Sequence, residues 1–258
     1  MALVARWIAE VRPHAIIVDV SVEIASLARL LGVPVIVMAL PGERTDTPHR
    51  LVHQLADHII AAWPRDLYEP DWLRCHADKT TYVGGISRFD GREPMRDRSS
   101  GEAPRILVVG GAGGGDVDQS MVDASAAATP QFEWSTIGLP GRPWRADPWQ
   151  DICAADVVVT HAGQGLVADV ATAQRRAVIL PEHRPFDEQR ATAQTLRSHR
   201  MAQVLDAWPS PGAWPRVIDQ ALALNPAAWE RWQTRGAADR AAEAIASTAR
   251  RYAPEPAA

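Results

Sequence analysis

The 258-residue sequence contains only two cysteines, Cys75 and Cys153, and a single lysine, Lys79. The cysteines are far apart and lack the short spacing of a metal site, so we expect neither a disulfide framework nor a zinc cluster. No apolar run approaches the ~18 residues that a membrane-spanning helix needs. Residues 1–7 also lack the long apolar region of a signal peptide. These absences predict a cytoplasmic protein.

Excess positive charge is lacking as well, because the formal net charge is −4. A general nucleic-acid binder would normally carry a basic face, so we expect no nucleic-acid partner. A hydrophobic content of 47% and a charged content of 22% are typical of a soluble globular protein. The length allows one or two domains with full cores.

Strand and helix patterns alternate along most of the chain, which predicts an α/β protein built on parallel sheets. The predicted strands are Ala15–Val20, Val35–Ala39, His58–Ala62, Thr80–Val83, Arg105–Gly110, Phe132–Ile137, Asp156–Thr160, Ala177–Leu180 and Ala202–Leu205. The predicted domains are a partial Rossmann-like domain at 1–90, a polar linker at 91–104, a complete domain at 105–224, and closing helices with a tail at 225–258. The first domain is expected to be incomplete, because it opens on a helix and its first strand is of a mid-sheet type.

The most informative segment runs from Asp156 to Gln189. It reads as a buried parallel strand, a glycine-bearing turn from His161 to Gly165, a helix, a second strand and a polar loop. The first N–H groups of that helix are able to hold an anion. Ligands of open α/β sheets bind at the carboxyl ends of the strands, where both loops fall. The segment therefore predicts a site for a phosphorylated ligand.

A second glycine-rich stretch, Gly110–Gly115, ends a predicted strand and precedes a helix. Its backbone could approach a diphosphate because glycine has no β-carbon, or it could be a merely flexible turn. Its place in the sheet favours phosphate contact. It is not a dinucleotide fingerprint, and the sequence has no Gly-Lys-Ser/Thr of a P-loop.

Two acids, Asp116 and Asp118, resemble the metal-binding Asp-x-Asp of one class of sugar transferases. The alternative is that they are acids in the first turn of a helix, where the helix dipole favours them. The second interpretation is better, because no further carboxylate or histidine clusters nearby. We therefore predict no metal site.

Four polar side chains of the Asp156–Gln189 segment are candidate ligand contacts. His161 could donate a hydrogen bond to a phosphate or simply cap the turn. Asp169 could accept from both hydroxyls of a ribose, or it could be an ordinary solvated charge on its helix. Glu188 and Gln189 could bond sugar hydroxyls, while Asp187 reads as the N-cap of their helix.

These residues resemble those of the GT-B glycosyltransferases of family 28. The similarity covers most of the chain, and its most specific part is His161-Ala-Gly with Asp169 and the loop that ends in Asp187-Glu188-Gln189. The resemblance implies a fold of two Rossmann-like parallel-sheet domains, the first of them incomplete here. Many family members carry glutamate at the position of Asp169.

The resemblance also implies roles for individual residues. Those expected in the donor site are Gly111, Gly113, His161, Gly163, Gln164, Gly165, Asp169, Glu188 and Gln189. Among them the glycines would lie near the diphosphate, Asp169 would hold the ribose, and Glu188 with Gln189 would hold the donor sugar. The nucleobase would rest against a loop of Arg145, Ala146 and Asp147.

Family members begin with a strand and a glycine-rich loop containing a histidine, and this chain has no such element ahead of Ala15. The general base is therefore unassigned, and the candidates are Asp19, Glu23 and His161, with Ser21 also on the acceptor side.

The expected function is metal-independent, inverting transfer of a hexosyl unit, N-acetylglucosamine by similarity, from a UDP-sugar co-substrate without a further cofactor. Alternatives are a nucleotide-sugar hydrolase or epimerase, or a non-catalytic donor-binding subunit that needs a partner chain. The acceptor is unknown and could be lipid-linked or a small molecule. Peripheral contact with the inner membrane face is also left open.

Overall fold

The computed structural model describes residues 1–94, 102–111, 115–141 and 145–252. The chain divides into two compact units, Met1–Gly84 with Gly236–Ala258, and Gly85–Arg235. Predictions that concern Gly113, or the other residues of 95–101, 112–114, 142–144 and 253–258, lie outside the described residues.

Within the described residues, the first unit contains a four-stranded parallel sheet in the order β1-β2-β3-β4. The strands are β1 (Ile16–Asp19), β2 (Val35–Ala39), β3 (His58–Ala61) and β4 (Thr80–Tyr82). Helix α1 (Ala2–Val11) precedes β1, and the helices between the strands are α2 (Val22–Leu30), α3 (Thr47–Leu55) and α4 (Asp71–Arg74), the last followed by a 3-10 turn at Ala77–Lys79. Because β1 is the edge strand, it leaves Ile17 half exposed, whereas Ile36 on β2 is buried.

The described part of the second unit contains a five-stranded parallel sheet in the order β6-β5-β7-β8-β9. Its strands are β5 (Arg105–Val109), β6 (Glu133–Ile137), β7 (Val157–Thr160), β8 (Arg176–Ile179) and β9 (Gln203–Val204). Its helices are α5 (Gln119–Ala128), α6 (Trp149–Ala154), α7 (Gln164–Thr172), α8 (Glu188–Ser198) and α9 (Trp214–Leu222), with 3-10 turns at Pro185–Asp187, Pro211–Ala213 and Pro226–Trp232. The last helix, α10 (Ala237–Arg251), belongs to the first unit.

The central strands of the second sheet are apolar because both of their faces are covered. All four residues of β7 are buried, while the first four residues of the outer strand β6 alternate between exposed and partly buried and only Ile137 at its end is buried. Trp214 of α9 is fully buried in the core over this sheet, and its ring meets Trp134 of β6 edge-on at 5.0 Å. The two parallel sheets confirm the predicted α/β class.

The boundaries of the two units along the sequence differ from the predicted domain limits. Gly85 and the residues up to Pro94, which the prediction divides between the first domain and the linker, belong to the second unit. The physical reason is that Gly85 N–H donates to the Trp232 carbonyl at 2.9 Å and Ser87 is hydrogen-bonded to Asp169. The closing helix α10 likewise belongs to the first unit rather than forming a separate region.

Local capping determines where the helices of the second unit begin. α5 begins at Gln119 because Asp118 is its N-cap and accepts from Met121 N–H at 3.0 Å. Of the closing helices predicted at 225–258, the first is a 3-10 turn at Pro226–Trp232 and the second is the α-helix α10. Asp187 does precede α8 but makes no side-chain cap, because its backbone is left-handed with a φ of 53°. Of the described helices, none has the length and apolar character required to cross a membrane.

Candidate functional site

A cavity of about 290 Å³ opens at the carboxyl edge of the second unit's sheet. Its walls include residues at the ends of β5, β7 and β8, among them Gly111, Thr160, His161 and Glu182. The three loops that the sequence analysis singled out therefore meet at one cavity. This edge is where open α/β sheets bind their ligands.

The glycines around His161 are required by the position of its ring. A β-carbon on Gly111 would lie 2.5 Å from His161 Nε2, and one on Gly163 would lie 2.5 Å from His161 Cε1. A β-carbon on Gly110 would overlap the carbonyl oxygen of Gly138. Gly111 and Gly163 thus allow the imidazole to lie against the backbone of two loops.

His161 is held as a neutral imidazole with a defined tautomer. The Gly163 N–H donates to His161 Nδ1 at 2.9 Å, so the proton of the neutral ring is assigned to Nε2. Burial lowers the pKa of His161, as does the nearby Arg184 guanidinium, while Glu182 acts in the opposite direction. His161 therefore presents an N–H donor beside Gly111.

The amino terminus of α7 lies directly after His161. Gly163 is the N-cap and provides no side-chain cap, and a β-carbon on Gly165 would meet open space. Gln164 Nε2 is buried and has no hydrogen-bond partner within the part of the chain that the structure describes. A helix start with an uncapped end and a buried donor is suited to an anion.

Gln189 joins the loop after β7 to the loop after β8. Its Oε1 accepts from Ala162 N–H at 3.0 Å and from Glu182 N–H at 2.9 Å. The side chain is buried, with Nε2 3.5 Å from His161 Nδ1. Gln189 therefore fixes both loops, which sequence reasoning did not foresee. Glu188 is half-buried at the start of α8 and is not among the described residues that line the cavity.

Asp169 is buried on α7 and has partners that the sequence did not suggest. Its carboxylate accepts from Ser87 Oγ and from Arg88 Nε, both at 2.9 Å. Burial raises the pKa of Asp169, although both hydrogen bonds act in the opposite direction. The side chain is thus engaged by residues 82 and 81 positions earlier, within the same unit. A ribose at Asp169 would have to share or displace these contacts.

Parts of this chain are similar in sequence to known proteins. The model of the glycosyltransferase family 28 C-terminal domain matches residues 143–222. A Rubrobacter xylanophilus UDP-N-acetylglucosamine–N-acetylmuramyl-(pentapeptide) pyrophosphoryl-undecaprenol N-acetylglucosamine transferase is 27% identical over 76% of this chain and 63% of its own length.

Two solved structures share the fold. The glycosyltransferase of kitacinnamycin has a TM-score of 0.67 at 17% identity, covering 98% of this chain and 80% of its own. MurG of Acinetobacter baumannii has a TM-score of 0.64 at 16% identity, and the match covers 95% of this chain and 76% of the MurG chain.

Residues 143–222 are therefore similar to a glycosyltransferase family 28 C-terminal domain. The resemblance inferred from the His161 and Gln189 segment is confirmed, and so is the GT-B-like fold. The chain spans 63% of the length of the Rubrobacter relative.

The loop predicted to hold the nucleobase, 145–147, makes two ion pairs. Arg92 Nη1 donates to both carboxylate oxygens of Asp147, at 3.0 and 2.9 Å, and Arg145 Nη1 pairs with Asp151 at 3.0 Å. Asp147 also accepts from Trp149 N–H at the start of α6, and this bond together with Arg92 lowers its pKa. Ala146 between them is exposed.

The two acids after the glycine loop, Asp116 and Asp118, have different surroundings. Asp118 caps α5 and accepts from Ser120 Oγ at 2.7 Å, whereas Asp116 lines the cavity and is exposed. No group of three or more His, Cys, Asp or Glu side chains able to hold a metal occurs among the described residues.

The acceptor-side candidates lie in the first unit and form a helix cap. Ser21 caps α2 by accepting from Ile24 N–H at 3.3 Å, and its hydroxyl donates to Glu23 at 3.0 Å. The backbone and the Ser21 hydroxyl lower the pKa of the fully exposed Glu23. Asp19 at the end of β1 is exposed. The cap accounts for Ser21 and Glu23 without a substrate.

Sequence reasoning missed a group of histidines in the first unit. His53 is buried on α3, with its ring stacked on Trp72 at 4.8 Å, and His49 Nδ1 lies 2.7 Å from Asp46 Oδ2. Burial lowers the pKa of His53 to about 4, helped by nearby positive charge. The groups that supply that charge are His76, His49, Arg44 and Lys79. The signal available beforehand was the spacing of His49 and His53, four positions apart on one helix.

Proposed function

We propose that the cavity of the second unit binds the diphosphate of a nucleotide-sugar and that the protein is a glycosyltransferase. The observation that carries the proposal is the meeting of His161 Nε2–H, the Gly110–Gly111 backbone and the amino terminus of α7 at one sheet edge. The family 28 domain at 143–222 supports the same reaction class.

These groups suit the charge that develops when a nucleoside diphosphate leaves. A neutral imidazole can donate a hydrogen bond to a phosphate oxygen without transferring its proton. The amino end of a helix also stabilises negative charge. Gln164 Nε2, buried and unsatisfied among the described residues, supplies a further donor at that helix start. We propose that these donors stabilise the leaving diphosphate without a metal ion.

In this proposal the donor is a UDP-sugar, and the transferred hexosyl group is N-acetylglucosamine. The transfer inverts the configuration of the anomeric carbon. The name of the Rubrobacter relative gives UDP-N-acetylglucosamine as donor and an undecaprenol-linked acceptor. The acceptor class we propose is accordingly a lipid-linked or smaller alcohol, and a lipid-linked one would bring the protein to a membrane surface. His161 is a poor general base here, because Nδ1 already accepts from Gly163 N–H and Nε2 carries the proton.

Turnover in the presence of EDTA tests the reaction. The protein would be incubated with UDP-N-acetylglucosamine and a polyprenyl-diphosphate-linked acceptor, and proton NMR would give the anomeric configuration of the product. Release of UDP with an inverted glycoside supports the proposal. Free sugar without acceptor would instead favour the nucleotide-sugar hydrolase, and absence of turnover despite UDP binding would favour the second candidate below.

A donor-binding subunit that needs a partner chain is the second candidate, and one observation favours it. Large apolar side chains are exposed on the first unit, including Leu3 and Trp7 on α1 and Ile17 on the edge strand β1, with exposures of 78%, 46% and 50%. Exposed large apolar side chains and an open strand edge are features of interaction sites. Sedimentation velocity would show whether the isolated chain associates, and co-expression with a candidate partner would show whether activity depends on it.

A further inference from the structure

The charges on the cavity wall are the wrong sign for a diphosphate. Among the described residues that line it, the charged side chains are Asp116, Glu182 and Asp206, and none is arginine or lysine. Asp116 and Asp206 are exposed to solvent, so water screens them. The Glu182 side chain is only 14% exposed, which makes it the carboxylate that a bound diphosphate would meet.

Glu182 is held in place at several points around the proposed phosphate position. Its backbone N–H donates to Gln189 Oε1, and Gln189 Nε2 lies 3.5 Å from Glu182 Oε2. Its other oxygen, Oε1, occupies the space that a β-carbon on Gly115 would need. The carboxylate therefore lies between the end of the glycine loop and the start of α8.

Arg184 is the cation that neutralises this carboxylate. Its Nη2 donates to Glu182 Oε2 at 2.8 Å, and the arginine side chain is 36% exposed. Arg184 is not among the described residues that line the cavity, and its link to the site is the ion pair with Glu182, which does line it. The guanidinium lowers the pKa of His161, and Glu182 raises it. Arg184 is followed by Pro185 and by two residues with left-handed backbone, Phe186 at φ 61° and Asp187 at φ 53°. Non-glycine residues seldom adopt this conformation, and it fixes where the loop turns into α8.

We propose that Arg184 is the cation that binds the nucleotide diphosphate, and that Glu182 holds its guanidinium until phosphate oxygens replace the carboxylate. The inference rests on the proposed function, since it assigns a binding residue to the same site. A guanidinium binds phosphate and carboxylate with the same planar fork of N–H donors. The exchange costs little, because a partly exposed ion pair contributes only weakly to stability. Once released, Glu182 opposes the phosphates by charge repulsion, so it tunes affinity downward.

Calorimetric titration with UDP and with UMP tests the assignment on four proteins. These are the wild type, Arg184→Gln, Glu182→Gln and, as a matched control, Arg190→Gln, which removes an exposed arginine paired with Asp187 on the same segment. We expect Arg184→Gln to weaken UDP binding about tenfold or more, as for a lost charged hydrogen bond, and to affect UMP less. Glu182→Gln should bind UDP more tightly than the wild type. The control Arg190→Gln should bind UDP with the affinity of the wild type. The His161 pKa, followed by NMR, should rise in Arg184→Gln.

The possible results separate this inference from the function on which it rests. Wild-type UDP affinity in Arg184→Gln, with folding verified by circular dichroism, overturns the assignment. Equal loss of UDP and UMP affinity in that variant also overturns it, because the residue would then not distinguish the second phosphate. Weaker UDP binding by Glu182→Gln contradicts the proposed exchange. Failure of the wild type to bind UDP would overturn the proposed function itself, and this inference with it.

Discussion

His161 Nε2 lies 2.5 Å from the point where a β-carbon on Gly111 would stand. The ring of the histidine and the backbone of the glycine loop are therefore in direct contact, and neither can change without moving the other. This contact joins the end of β5 to the end of β7 at the proposed diphosphate site.

Substitution of Gly111 by alanine should displace the His161 ring. We expect Gly111→Ala to lower the free energy of unfolding by about 1–3 kcal/mol, which is typical of overpacking in a fixed core. Gly165→Ala is the matched control, since its β-carbon would meet open space on α7. Thermal denaturation should show Gly165→Ala equal to or above the wild type, because alanine favours a helix over glycine. Comparable loss in both variants would mean that crowding at His161 is not the cause.

Asp169→Ala should destabilise the second unit because it leaves Ser87 and Arg88 without their buried acceptor. We expect a loss of about 2 kcal/mol in urea denaturation, below the range for fully buried pairs because Arg88 is partly exposed. An Asp169→Asn, Arg88→Gln double-mutant cycle would isolate the pair from other effects. Additive changes would contradict a direct interaction. UDP affinity measured on the folded variants would separately test the predicted ribose contact.

Gln189→Ala should loosen both loops around the cavity, since Ala162 and Glu182 each lose an acceptor for a backbone N–H. The expected cost is about 2 kcal/mol of folding free energy, from two unsatisfied buried donors. Gln189→Glu keeps an acceptor at the same position and should recover part of that loss. Gln194→Ala, on the exposed face of α8, serves as control and should behave as the wild type. If Gln194→Ala cost as much as Gln189→Ala, the bridging role would be wrong.

His53 should make the first unit less stable in acid. Its folded-state pKa is about 4 against an ordinary value of 6.5, so the unfolded chain takes up a proton first as the pH falls. The stability is fully present above pH 6.5 and is lost progressively down to about pH 4, by up to about 3 kcal/mol. His53→Phe keeps an aromatic ring against Trp72 and removes the titration. Denaturation curves at pH 7 and pH 4.5 should therefore differ less in His53→Phe than in the wild type, and an equal difference would rule out His53 as the cause.

The sequence was sufficient for features that depend on local pattern. The β-branched run of β7, the turn at His161 and the helix after it follow from residue type and spacing, and the structure places them at the sheet edge. The matching family domain confirms the resemblance drawn from the same segment. Both succeed because the information lies within about thirty consecutive residues, the length of one βαβ unit.

Features that depend on distant pairing could not be predicted. Nothing local indicates that Asp169 pairs with Ser87, 82 positions away, because Ser87 falls in the predicted domain at 1–90 and Asp169 in the predicted domain at 105–224. The double bridge of Gln189 depends on two loops coming together only in the folded sheet. The left-handed backbone of Phe186 was equally hidden, because bulky residues disfavour it and no sequence signal marks it.

The central claim is that the cavity at His161 binds a nucleotide diphosphate without a metal. The most direct measurement is a calorimetric titration of the wild type, His161→Gln and His14→Gln with UDP in EDTA, His14 being an exposed histidine of the first unit. We predict saturable one-to-one binding by the wild type and His14→Gln, and an affinity at least about tenfold lower in His161→Gln. No binding by the wild type, or equal affinity in all three proteins, would contradict the claim.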